Sequence, residues 1–287
     1  MFRRIILFIF LASSIALHAQ SFLQRSTLGI AAGGMNYMGD LNKQSMLGKV
    51  NFGGGILFRY DFNNRWAVMV SANYGRVGGD KDVEHRRNLS FRSNIYEGSF
   101  RVEFNFVPFG KSGAQYRTTP FLFCGLGLFH FNPMTRYTDT LSHETQWVEL
   151  QPLGTEGQGT SAFPDKTKYS LTQLMLPFGL GFKALIGNNI ILTIEYGFRK
   201  TWTDYIDDIS TIYVGSAVLD NGTETGKLAA ALADRSYEVE PGYVNAPGIK
   251  RGDDSLNDWY SFFNFSVNIR MEALFGWMRG KQCETGK

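Results

Sequence analysis

Cysteine is almost missing from this chain: 287 residues hold two, Cys124 and Cys283. Two cysteines do not make a disulfide framework, and both are read as filler thiols, Cys124 within a strand and Cys283 in the tail after the last one. Proline is scarce, at 8 residues. Long apolar runs are missing too. After the N-terminal segment no run reaches the length needed for a membrane-crossing helix, so a helical membrane protein is excluded. Charge of one sign is also lacking: the net charge is +3 and the Lys and Arg residues are scattered, which argues against a nucleic-acid partner.

What the chain does have is aromatic residues, at 15%, and 32 glycines, a composition that favours β structure over helices. Its start reads as a secretory signal over residues 1–19. Arg3 and Arg4 precede an apolar run from Ile5 to Leu17, and Ala19 supplies the small residue before Gln20. No cysteine lies near that site, which argues against a lipoprotein.

The clearest pattern is Asn94 to Phe106. Tyr96, Gly98, Phe100, Val102, Phe104 and Phe106 alternate there with Glu97, Ser99, Arg101, Glu103 and Asn105. Seven further segments alternate in the same manner: Ser26 to Tyr37, Val50 to Asp61, Trp66 to Gly75, Thr118 to Phe131, Ser170 to Ala184, Ile190 to Trp202, and a last one from near Trp259 to Trp277. Pro177 stands in the middle of the sixth, where it removes a ladder donor; a bulge would accommodate it.

Alternation alone fits a soluble sandwich with an aromatic core as well as a membrane barrel with aromatics towards lipid. The connections favour the barrel. Phe62 to Arg65, the few residues around Gly187 to Asn189, and the moderate stretch Val107 to Arg117 alternate with the long connections Met38 to Lys49, Arg76 to Arg92, Asn132 to Tyr169 and Thr203 to Asp258. Short periplasmic turns alternating with four long extracellular loops are the pattern of an up-and-down antiparallel transmembrane barrel with both termini in the periplasm. The expected architecture is an all-β barrel of about eight strands over residues 20–278, with a polar tail at 279–287.

A barrel of that size is only wide enough for side chains to fill it. Arg59, Glu97, Arg101, Glu103, Lys183, Glu195, Arg199 and Arg270 all take inward positions, so the sequence predicts a plugged lumen with a buried charge network. A catalytic rim finds little support. His85 lies in a basic loop, His143 in a polar one, and His130, at a strand end, shares the outward parity; none has a Ser or Asp partner by spacing. Asp204, Asp207 and Asp208 are read as loop-capping carboxylates in preference to a calcium site, and Arg251-Gly252-Asp253 carries no weight as an adhesion tripeptide. Thr225 to Arg235 has helix formers and is expected to lie over the mouth. The acidic excess of that last loop argues for a solvated surface. No metal, cofactor or enzymatic activity is expected.

Five phrases together resemble a known family: GGMNYMGDL (Gly33 to Leu41), YEGSFRVEFNF (Tyr96 to Phe106), LQPLGTEGQG (Leu150 to Gly159), TDYIDDIS (Thr203 to Ser210) and RGDDSLNDWY (Arg251 to Tyr260). The chain resembles the PorG family, the outer-membrane β-barrel component of the type IX secretion system of Bacteroidetes. The resemblance implies an integral outer-membrane, non-enzymatic subunit that associates with the periplasmic ring of the lipoprotein PorK and its partner PorN (GldK and GldN in gliding bacteria). Topology then makes the periplasmic end the expected contact surface, with Asn63, Asn64, Lys111, Asn188, Arg279 and Lys281 as candidates. A second reading stays open: a free-standing barrel whose outer loops bind ligands or lipopolysaccharide.

Overall fold

The computed structural model describes residues 22–41, 50–79, 87–110, 116–139 and 143–276. The strands are β1 (Ser26–Met38), β2 (Asn51–Asp61), β3 (Trp66–Gly79), β4 (Phe91–Asn105), β5 (Thr118–Thr138), β6 (Thr145–Glu149), β7 (Thr172–Ile186), β8 (Ile190–Thr201) and β9 (Trp259–Arg270). Every strand but β6 pairs antiparallel with both neighbours in the ring β1-β2-β3-β4-β5-β7-β8-β9, and β1 closes it by pairing with β9 from Thr27 opposite Arg270 to Met38 opposite Trp259. The result is a closed eight-stranded barrel without free edges, with β6 attached as a short flap on the far end of β5.

Alternation decides which residues face which way. On β4, Glu97, Ser99, Arg101 and Glu103 are buried while Tyr96, Gly98, Phe100 and Val102 are exposed. Around the ring the exposed set is apolar, with Phe52 at 75%, Ile30 at 66% and Leu126 at 63% exposure, and the buried set of the mid-barrel is charged. This inversion costs too much in water and is stable in a bilayer, where hydrocarbon covers the aromatics and the lumen shelters the charges. No helix among the described residues is long and apolar enough to cross a membrane.

One end of the barrel is tight. Asn63 Oδ1 accepts from the backbone N–H groups of Arg65 and Trp66 at 2.8 and 2.9 Å, which fixes the β2–β3 turn. Gly187, at φ 59°, supplies the left-handed residue of the β7–β8 turn. The other end carries a folded cap: the β5–β6 hairpin, a 3-10 turn at Gln151–Leu153, helices α1 (Ser216–Leu219) and α2 (Glu224–Ala233), and a second 3-10 turn at Ser236–Glu238. Thr223 caps α2 by accepting from Gly226 N–H at 3.1 Å.

Three expectations are corrected. The last strand stops at Arg270 and residues 271–276 are helical, so Met271, Ala273 and Phe275 do not continue its outward row. Past Arg270 neither neighbour remains, since β1 pairing begins at Thr27 and β8 pairing at Ile190, and the backbone satisfies itself by coiling. Strand β5 continues to Thr138, because β4 and then β6 supply partners beyond Phe131. Pro177 needs no bulge. It stays in register with Arg199 of β8, and the β5–β7 ladder lapses between Cys124 opposite Phe178 and Gly127 opposite Met175, with the same register on either side. The proline thus faces a local gap in one ladder.

Candidate functional site: the filled lumen and its two ends

Toward the turn end of the lumen Glu103 is wholly buried, and its Oε2 accepts from Arg59 Nε at 2.9 Å and Lys183 Nζ at 2.6 Å. Arg101 approaches its other oxygen at 3.9 Å and pairs with Glu195 across the barrel at 2.8 Å. Glu97 accepts from Arg199 at 3.1 Å, from Tyr260 at 2.7 Å and from Asn73 at 2.8 Å. Lys183 Nζ lies 4.1 Å from the Phe121 ring and the Arg101 guanidinium 4.3 Å from that of Phe123. Arg270 is buried at the turn end, where it donates to Gln24 O at 2.8 Å. These contacts span the lumen from β4 to β7 and β8, two and three strands away in the ring, so a solute could pass only by breaking buried ion pairs.

Above this layer stands an aromatic column. Phe129 and Phe131 stack at 5.4 Å, Phe131 on Tyr169 at 6.1 Å, and Tyr169 on Tyr205 at 4.5 Å, which carries the core from the barrel into the cap. The cap is built around Arg251 and Glu156, both buried. Glu156 accepts from Arg251 at 3.0 Å, Ser210 N–H at 2.9 Å and the Thr211 hydroxyl at 2.7 Å, while Arg251 also donates to the carbonyls of Ala233, at 3.1 Å, and Asp208. An adhesive role for Arg251-Gly252-Asp253 is thereby ruled out on the described fold, since the Arg side chain is 2% exposed.

The acidic stretch does not lie on a solvated surface as its composition suggested. Asp204, Asp207, Asp208 and Asp258 are all buried. Tyr37 Oη lies 2.6 Å from Asp207 and 2.7 Å from Asp258. One hydroxyl carries one proton, so two such short contacts need a second proton on a carboxyl group. Burial pushes Asp207 up to about 8 and raises Asp258 well above the usual carboxylate range, with the Asp207 charge adding to the latter. Burial likewise lifts Asp204 to about 8, and Asp208 to about 6 with Arg251 opposing. Asp207 Oδ1 also accepts from Ile209 N–H, and Asp258 Oδ2 from Ile206 N–H, both at 2.9 Å. Capping of backbone groups is therefore one of their tasks. Among the described residues no three His, Cys, Asp or Glu side chains converge as metal ligands.

His130 sits on the outward face, its Nδ1 3.1 Å from Thr172 Oγ1, and His143 is exposed in the β5–β6 turn. His85 is outside the described residues. The turn end opens into a polar recess of about 480 Å³ lined by Gln24, Arg25, Asp61, Asn63, Asn64 and Arg270 among others. Asn64 O accepts from Phe109 N–H at 2.8 Å and Asn188 is exposed in the β7–β8 turn. Lys111, Arg279 and Lys281 lie outside the described residues. Sequence reasoning missed Glu156, whose phrase LQPLGTEGQG was distinctive but showed no periodicity.

A family model described as "Domain of unknown function (DUF6089)" matches residues 3–150. No curated protein matches the chain. Among solved structures, the chain is similar to Neisserial surface protein A at 13% identity and a TM-score of 0.40, over 85% of this chain and 96% of that one. It is similar to Ail, the attachment invasion locus protein of Yersinia pestis, crystallised with the heparin analogue sucrose octasulfate, at 11% identity and 0.38, again over 85% and 96%. The outer membrane protein OprG from Pseudomonas aeruginosa gives 11% and 0.38 over the same shares.

Proposed function

The chain belongs to the DUF6089 family, and for this member we propose the role of a non-enzymatic outer-membrane subunit of the type IX secretion system that anchors or organises the periplasmic PorK/PorN ring (GldK/GldN in gliding bacteria). The observation that carries the reading is the cross-linked lumen. A barrel whose walls are tied together by Glu103, Glu195 and Glu97 does not conduct cargo, so its use to an export machine is as a fixed point in the membrane. The exposed apolar belt supports an integral membrane location, and the five phrases shared with the PorG family support the choice of machine. In this reading the tight turns and the polar recess face the periplasm and the cap faces outward. Ring contacts then fall on Asn63 and Asn64 at the recess, on Asn188 in the β7–β8 turn, and on Lys111, Arg279 and Lys281.

The test is affinity purification of the tagged chain from gently solubilised native outer membranes, followed by mass spectrometry. Recovery of both ring proteins is the expected result. Recovery of the barrel alone overturns the assignment and moves attention to the cap.

A further inference from the structure

The lipid-facing wall carries a cluster of positive charge on three neighbouring strands, in successive outward rows. Along β4 the outward positions from Phe106 to Tyr96 span about 25 Å at ~3.4 Å per residue and a tilt of ~40°, the height of the apolar band of such barrels. The next two outward positions on β4 are Asn94 and Arg92. Arg76 of β3 lies opposite Asn94, one outward position beyond Tyr74, and Arg136 of β5 lies opposite Trp147 of β6. The Arg92 guanidinium stands 3.4 Å from the centre of the Trp147 ring and that of Arg136 5.7 Å from it, while Arg76 Nε donates to Asn94 Oδ1 at 3.1 Å. Arg76 and Arg136 are near enough for their charges to act on Arg92. No carboxylate among the described residues pairs with any of the three; Glu149, on the same face, is held by Asn132 Nδ2 at 2.9 Å. Arg92 Nε is buried without a hydrogen-bond partner.

Below these arginines, past one row of aromatic side chains, the wall is notched. The outward row Ala72, Gly98 and Leu128 sits beneath the Tyr74, Tyr96 and His130 row, and a groove of about 610 Å³ runs there between Ile56, Phe100 and Leu126. A Cβ at Gly98 would meet nothing within 4 Å, so the notch is open space. Three cations above an acyl-sized groove match one molecule with phosphate at one end and hydrocarbon at the other.

We propose that Arg76, Arg92 and Arg136, with the groove at Ala72 and Gly98, form a binding site for a phosphorylated outer-leaflet glycolipid of the lipid A type. Paired cations recognise the phosphate by charge-assisted hydrogen bonds, and Trp147 holds Arg92 in place for it. The site rests on the orientation given above, cap outward.

The full-length chain and the R76Q/R92Q/R136Q variant are reconstituted in phosphatidylcholine nanodiscs doped with lipid A, and the lipid A retained through gentle re-purification is quantified by mass spectrometry. Retention by the wild type, falling with salt, and a loss of about tenfold or more in the triple variant are expected. Lipid A stripped of its phosphates should be lost from the wild type to a similar degree, and Gly98→Trp, which fills the groove, should also reduce retention. Inorganic phosphate and soluble sulfated polysaccharide should not compete at low millimolar concentration. Equal retention by the triple variant, or effective competition by the soluble anions, overturns the proposal. Lys227→Gln, in the cap, controls for unspecific charge loss. Thiol labelling of Asn257→Cys on intact cells reads the orientation separately. Absence of labelling there, with retention intact in nanodiscs, would sink the outward cap and the lipid A source but leave the anionic-lipid site standing.

Discussion

In the lumen Glu103 meets Arg59, Lys183 and Arg101, whereas beneath the cap Asp207 and Asp258 meet each other across the hydroxyl of Tyr37. Both regions bury carboxyl groups completely, and the difference lies in what neutralises them. The lumen uses fixed cations supplied by facing strands. The cap has Arg251 for Glu156 and Asp208 and leaves Asp207 and Asp258 to be neutralised by protons. Strand geometry explains the division. In a closed barrel each inward position faces others at set heights, so opposite charges can be placed across the lumen, but a cap assembled from loops collects its carboxylates for their backbone hydrogen bonds, as at Ile206 and Ile209.

The comparison breaks most visibly in the lumen. Glu103→Gln strips the common partner from Arg59 and Lys183 and should cost about 3–5 kcal/mol, read as a lowered urea midpoint for the whole barrel in lipid. An unchanged midpoint would mean that water or Asp61 takes over the charge. Arg251→Met should cost a similar ~3–5 kcal/mol, but only in the cap, because it leaves Glu156 buried and unpaired. Limited proteolysis should then cut within residues 150–171 or 202–258 while the barrel stays folded; loss of the barrel as well would show that the two networks are one cooperative unit.

Proton dependence sharpens the contrast. Asp207 and Asp258 have raised folded-state values, so the folded cap holds protons that the unfolded chain releases. Their contribution is complete below the ordinary carboxylate range and is lost as pH rises through the raised folded-state values, about 8 for Asp207. Once intrinsic base-catalysed exchange is divided out, the protection of the Ile206 and Ile209 amides should fall between about pH 5 and about 8, by up to about 1.4 kcal/mol per pH unit for one proton, and Asp207→Asn should flatten the profile. Protection that stays constant or grows with rising pH would refute the shared-proton arrangement. Smallest is Thr223→Ala, which removes the α2 cap at a cost of about 1 kcal/mol, visible as faster exchange in α2 alone.

The barrel was legible because its periodicity is two and its lumen charges alternate with aromatics. Glu97, Arg101 and Glu103 could be placed by parity before any coordinates, and so could the turns at Asn63 and Gly187. The cap was not legible. Its residues obey no period, and a run such as TDYIDDIS reads as solvated until Tyr37, Arg251 and Asp258, distant in sequence, are seen to close over it. The arginine cluster was hidden for a related reason. The strands were expected to end at Gly75 and Phe131, which left Arg76 and Arg136 in loops, although both keep the outward parity of the strands they extend.

The aromatic column from Phe129 to Tyr205 makes the cap and the barrel one body, and this has a mechanical meaning. If a periplasmic ring pulls on the turn end, the cap acts as the head of a rivet. To follow the pull, a folded mass with Glu156, Arg251 and four aspartates inside would have to be drawn into hydrocarbon, and the barrel shank beneath it is too full to let the head collapse inward. Such a part resists tension without any bond to the surface beyond its own shape.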